Sequence, residues 1–184
     1  MTFNYFFFNT DAGFFLEVLP FALIVAAVYG MIRYKKDHET PLIRKILSSA
    51  FVCYLTGLVC LVTLIKPIGA LWYYIIYHQS GGFDIRFFEL EYNFTPDFFR
   101  HLNGESIGNF LMFLPFGFLF PFFGKNTGIK KTVLCGFACS VCIEILQPIF
   151  GRAFDINDII MNTLGVLVSA VLFAMIKKLI KNKQ

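Results

Sequence analysis

Five stretches of about twenty residues run through this chain almost without charge, and they decide what it can fold into. Residues 13–32 carry only Glu17 and residues 132–150 only Glu144, while 46–65, 106–123 and 159–176 carry none. An α-helix needs about 20 apolar residues to cross the roughly 30 Å hydrocarbon core of a bilayer. It is also one of two structures that satisfy every backbone N–H and C=O there. The other is the closed β-barrel, which needs alternating rather than continuous apolarity. A soluble domain carries about 25% charged residues. This chain carries 15%, against 57% hydrophobic, with a mean hydropathy of +0.67. The expected fold is therefore an all-α integral membrane bundle in a single domain, residues 1–184, with helices at about 13–33, 46–66, 106–123, 131–150 and 155–176. The first run is read as a retained helix, because Arg33, the first basic residue, follows it, whereas a cleaved signal begins with a basic segment.

The basic residues give the direction. Twelve of the sixteen fall in residues 33–45, in the 125–131 connection and in the 177–183 tail. Five crossings put all three segments on one side, and the positive-inside rule makes that side cytoplasmic. The N-terminus is then outside, the C-terminus inside, and a long loop, residues 67–105, lies outside. The net charge of +4 is explained by topology, with a basic tail suited to anionic lipid, so it calls for no nucleic acid. The outer loop opens at Pro67 with an aromatic run holding Trp72, Tyr73, Tyr74 and Tyr77, which suits an interfacial or re-entrant segment. After Gly81-Gly82 the residues FDIRFF and FELEYNF alternate as a hairpin or extended segment would. Cys53, Cys60, Cys135, Cys139 and Cys142 all lie within spans. There they read as small polarizable packing residues. No metal site and no cofactor is implied.

Against this background the polar residues of 143–165 stand out: Glu144, Gln147, Arg152, Asp155, Asn157, Asp158 and Asn162. At about 1.5 Å per residue, Asn109, Gln147 and Asp158 lie roughly 4–5 Å below the outer ends of the third, fourth and fifth helices, and Glu144 and Asn162 roughly 9–11 Å below. Glu144 and Gln147 are i, i+3, and Asp155, Asp158 and Asn162 are i, i+3, i+7, so each set lines one helix face. The fourth and fifth helices are joined by a few residues around Gly151 and should be antiparallel neighbours. Asp155 or Asn157 would cap the fifth. A charge at the bilayer centre costs about 2.5–3.5 kcal/mol even on permissive scales, so these groups must face inward. Asn109, Glu144, Gln147, Arg152, Asp155, Asp158 and Asn162 are the expected ligand-binding set. Arg152, the cation of the cluster, is expected to pair with Asp155 or Asp158. The three carboxylates outweigh it, which favours a cation or a protonated carboxyl. A phosphate would need Arg86, Arg100 or Lys66 to fold in.

The same residues resemble the VanZ-like family of small bacterial multi-pass membrane proteins. Gly108-Asn109 and FLPFG at 113–117, Glu144 with Gln147, Gly151-Arg152, Asp155-Ile156-Asn157-Asp158 and Asn162-Thr163-Leu164-Gly165 all fit its pattern. Asn93-Phe94-Thr95-Pro96 resembles an upstream element, with Asp97 where the family has an aromatic. The resemblance covers about residues 93–175. It implies a protein of the cell membrane and envelope, and the family's namesake is associated with resistance to the lipoglycopeptide teicoplanin. Three readings stay open. The first is a non-enzymatic protein that binds or modulates a lipid-linked cell-wall precursor, a lipid headgroup or a lipoglycopeptide. The second is a membrane enzyme on a lipid-linked substrate, with Glu144 or Asp158 as acid or base and a divalent cation on the carboxylates. The third is a scaffold whose polar cluster only fixes packing.

Five crossings and the distribution of basic residues give one outcome for a reporter fused to the C-terminus: it should be cytoplasmic. A C-terminal reporter found outside would remove the outward-facing cluster along with the five-span topology.

Overall fold

The computed structural model describes residues 2–79, 87–88, 91–97, 99, 104–124 and 127–182. Half of the expected FDIRFF and FELEYNF hairpin, residues 83–86, 89 and 90, lies outside them, as do Arg86 and Arg100.

The chain begins with a short helix, α1 (Phe3–Asn9), which the sequence reading did not separate from the first span. Thr10 joins it to α2 (Asp11–Lys36). Its hydroxyl donates to Phe6 O at 2.6 Å and accepts from Gly13 N at 3.1 Å, so one side chain ends one helix and starts the next. The turn is tight enough that a Cβ on Gly13 would overlap the carbonyl oxygens of Phe6 and Phe7.

The second span, α3 (Leu42–Thr63), stops at Leu64, and α4 (Ile65–Tyr77) restarts at once. Lys66 therefore belongs to a separate element. Pro67 sits in the first turn of α4, where its missing N–H would have no intrahelical partner anyway. Thirteen residues reach only about 20 Å, too little to cross. The helix lies against α2 and α3. Trp72 Nε1 donates to Glu17 O at 2.9 Å, and Phe7 and Phe8 of α1 meet Trp72 and Tyr73 edge-on.

The remaining helices are α5 (Gly104–Phe123), α6 (Ile129–Leu146) and α7 (Ile156–Lys181), with a 3-10 turn at Gln147–Phe150 between the last two. Five helices, α2, α3, α5, α6 and α7, are long and apolar enough to cross a membrane. The expected all-α multi-pass bundle is the fold. The small addition is a two-residue parallel pairing of β1 (Tyr92–Asn93) with β2 (Phe154–Asp155), which docks the segment before α5 on the turn before α7.

The core lies between α3, α5, α6 and α7. Phe113, Phe116 and Phe120 stack along α5, and Phe51 of α3 meets Phe116 and Phe120 edge-on. Leu58, Val62, Ile143 and Val166 complete the cluster. Helix α5 continues through Pro115 and Pro121. Its last carbonyls are taken by α3: Arg44 donates to Phe122 O at 3.3 Å and Gly124 O at 2.7 Å, and Ser48 Oγ donates to Phe122 O at 2.8 Å. These groups would otherwise be orphaned at a helix end, and a cation there also complements the dipole.

Helices α5 and α7 approach closely at two glycines. A Cβ on Gly117 would run into Ser169 Oγ and stand 2.6 Å from Ala170 N, and one on Gly165 would overlap Phe110 O. Gly165→Ala should therefore lower stability in detergent by about 1–3 kcal/mol, the usual cost of overpacking. Gly128→Ala, where a Cβ meets nothing within 4 Å, should stay within about 0.5 kcal/mol of wild type. Equal thermal unfolding of the two variants would contradict the close crossing.

Candidate functional site

At one end of the bundle α6 finishes while α5 and α7 begin. It is the end opposite the 37–41 and 124–128 connections, and it gathers the polar residues singled out above. The sharp reversal after α6 depends on Gly151, which has φ 76° and takes the left-handed conformation that glycine enters without penalty.

Glu144 closes the last turn of α6 and is only 1% exposed. Asp155 N donates to its Oε2 at 3.1 Å. With its amide turned to donate, Gln147 Nε2 lies 2.9 Å from both carboxylate oxygens. Glu144 thus ties the end of α6 to the start of α7. Asp155 is the N-cap of α7, accepting from Asn157 N at 2.8 Å. Its carboxylate also accepts from Asn93 Nδ2, at 3.2 Å to each oxygen.

Asn157 carries the 91–97 segment. Its Nδ2 donates to Asp97 Oδ1 at 2.9 Å and Thr95 O at 3.2 Å, and its Oδ1 accepts from Asp97 N at 3.0 Å. The Asp97 that departs from the resembled pattern is thus an anchor of the loop. Asn93, Thr95 and Asp97 were not among the expected site residues, although the upstream element pointed at the segment.

The other residues form a more open part. Asn109 of α5 lies near the Asp158 carboxylate of α7. Asn162 Nδ2 donates to Ser140 Oγ at 2.9 Å. Its Oδ1 is buried and accepts no hydrogen bond among the described residues. Ser140 lies one turn below Glu144 on the same face of α6, a spacing that could have flagged it. Arg152 is exposed at the rim, with Nη1 donating to Val62 O at 3.3 Å. Beside it, Lys66 Nζ donates to Gly151 O at 3.4 Å.

The expected pairing of Arg152 with Asp155 or Asp158 takes a different form. Among the described residues the ion pair within 4 Å is Arg33 with Asp37, and Arg152 acts on Asp158 and Glu144 only through its longer-range field. Its guanidinium instead caps an otherwise unpaired carbonyl of α3. The charge reading shifts too, because Lys66 brings a second cation to the rim. An acidic and amide floor lies beneath a basic edge, and such an arrangement can take a head bearing both hydroxyl or amino groups and an anionic group. No cluster of three His, Cys, Asp or Glu suited to a metal is found among the described residues.

Fold and cluster together define a small multi-pass membrane protein with a polar site built where three spanning helices end. The chain belongs to the VanZ/LLP1 family, which matches residues 14–177 and so takes in the first two spans as well. It is similar to Protein VanZ of Enterococcus faecium, with 30% identity over 111 residues, covering 53% of this chain and 69% of that protein. No solved structure matches the chain.

If Asn157 holds the loop as described, Asn157→Ala should undock residues 91–97 while the spans stay packed. Hydrogen exchange of the Tyr92–Phe94 amides should rise at least ten-fold, matching the loss of about 1–3 kcal/mol for a buried hydrogen-bonding group. Unchanged exchange would place the anchor elsewhere.

Proposed function

We propose that the polar cluster is the outward-facing binding site of a cell-envelope protein, and that it takes the head of an amphiphile. The class is a lipid-linked cell-wall precursor, a phospholipid headgroup or a lipoglycopeptide. The observation that carries this reading is the division of the cluster. Glu144, Gln147, Asp155 and Asn157 satisfy one another and hold the helix ends. Among the described residues Asn162 Oδ1 stays unpaired, and Arg152 keeps donors beyond the one it uses. A cluster built only as glue has no reason to leave an acceptor orphaned at a cost of about 1–3 kcal/mol.

The membrane setting fits the ligand. The ligand's tail stays in lipid while the head enters between α5, α6 and α7. Arg152 and Lys66 suit an anionic group, and Asp158, Asn109 and Asn162 suit hydroxyl or amino groups. Glu144, with both oxygens engaged, suits a positioning part better than an acid or base.

Deletion should alter an envelope phenotype, with teicoplanin susceptibility the first to measure. Asp158→Asn and Arg152→Lys should abolish that phenotype while expression and thermal stability stay near wild type, since Lys cannot reproduce the planar guanidinium. Glu144→Gln should also fold, because Gln147 can turn its amide to match. Full function in Asp158→Asn and Arg152→Lys would defeat the binding reading, and loss of expression in both would support glue. Turnover of purified cell-wall lipids, with or without Mg²⁺, would favour the enzyme instead.

A further inference from the structure

A second candidate site lies on the far side of the bundle. A groove of about 1040 Å³ runs between α2 and α3, walled by Phe15 to Tyr34 on one side and Leu42 to Leu61 on the other. That is about 28 Å of helix, close to the full hydrocarbon thickness. Ala22, Ala26 and Ala27 keep one wall low, Ala50 and Gly57 the other, and Met112 and Pro115 of α5 form the floor.

Small side chains alone would leave only an unfilled face. The second observation is Lys45, which lines the groove near its α2 C-terminal end and is only 8% exposed. Its ammonium lies 5.4 Å from the Tyr34 ring centroid, and no carboxylate among the described residues stands within ion-pair distance. The acid whose field reaches it, Asp37, is occupied: it accepts from Thr40 N at 3.0 Å and lies 3.9 Å from Arg33 Nε. Those Thr40 hydrogen bonds, with Lys45 and Arg33 nearby, hold the Asp37 carboxyl below its usual range. The Lys45 side chain is thus packed into the groove wall for most of its length, and its ammonium has no carboxylate among the described residues to neutralise it there.

We propose that this groove binds an anionic phospholipid from the leaflet on the basic side of the bundle, with its phosphate on Lys45 and an acyl chain along the alanine wall. Charge selects the occupant: the groove is apolar for most of its length and cationic at the one end that lies at headgroup level. Bulk argues against a helix from a second copy. A helix is about 10–12 Å across and over the same length fills more than about twice the groove volume, so only its flank would enter and Lys45 would stay unpaired.

The probes are photoreactive phosphatidylglycerol and phosphatidylcholine with a diazirine in the acyl chain, presented to the purified full chain in vesicles. Wild type should cross-link phosphatidylglycerol about five-fold more than phosphatidylcholine, the preference one cation gives at a membrane surface. Label should map to residues 22–30 and 46–57. Lys45→Gln should equalise the two lipids, and Ala26→Phe should lose label from both. Equal labelling of wild type by both lipids would overturn the proposal without need of any variant. So would a phosphatidylglycerol preference that survives Lys45→Gln, or an Ala26→Cys variant that oxidises to a disulfide dimer across the groove.

Discussion

Two backbones nearly touch where α5 crosses α7, and the site depends on that contact. Gly117 and Gly165 each remove the side chain that would hold the helices apart. In lipid no hydrophobic force favours helix against helix over helix against acyl chain, so close packing has to supply the attachment. Ser169 places its Oγ against Gly117 but spends its hydroxyl within its own helix, on Gly165 O at 2.8 Å, and so brings no unsatisfied donor to the seam. With the helices drawn in, Asn109 on α5 comes near Asp158 on α7. A bulkier seam would move that amide away from the carboxylate.

The polar cluster then divides by task. Glu144, Gln147 and Asp155 replace what a longer loop would otherwise do: they fasten two helix ends across a turn of a few residues. Asn157 and Asp97 bring the 91–97 segment to the same place. Asp158, Asn162 and the rim cations lie outside these ties, and in the proposed reading they are the groups that meet a ligand. Intramembrane polar residues are often treated as one class, yet in that reading neighbours one turn apart serve different ends.

Much of this was legible in the residue order. Long uncharged runs have one stable form in lipid, and i, i+3 and i, i+7 spacing puts Glu144, Gln147, Asp158 and Asn162 on faces without reference to partners. What escaped was set by contacts between distant segments. Lys66 read as the end of the second span, because hydropathy runs on through Leu64 and nothing local announces the break. Its position beside Arg152 comes from α4 folding back over α3, and that turned an acidic reading into a mixed one. Ser140 looked like any small residue of an apolar helix until Asn162 faced it. Arg152 was assigned to the nearest carboxylates in sequence, whereas the unpaired carbonyl at Val62, ninety residues earlier, claimed it.

Helix α7 is one uninterrupted element from the Asp155 cap to Lys181, about 39 Å of rod. Beyond Gly165 it holds neither glycine nor proline to absorb a bend. Its first turn is fixed to α6 and to the 91–97 segment, its middle is seated against α5, and its last turns carry Lys177, Lys178 and Lys181. Mechanically it is a shaft with a bearing at mid-length. In the proposed reading, a ligand head held at Asp158 and the lysines of the last turns sit on one rigid rod, so a displacement of either end is shared by the other.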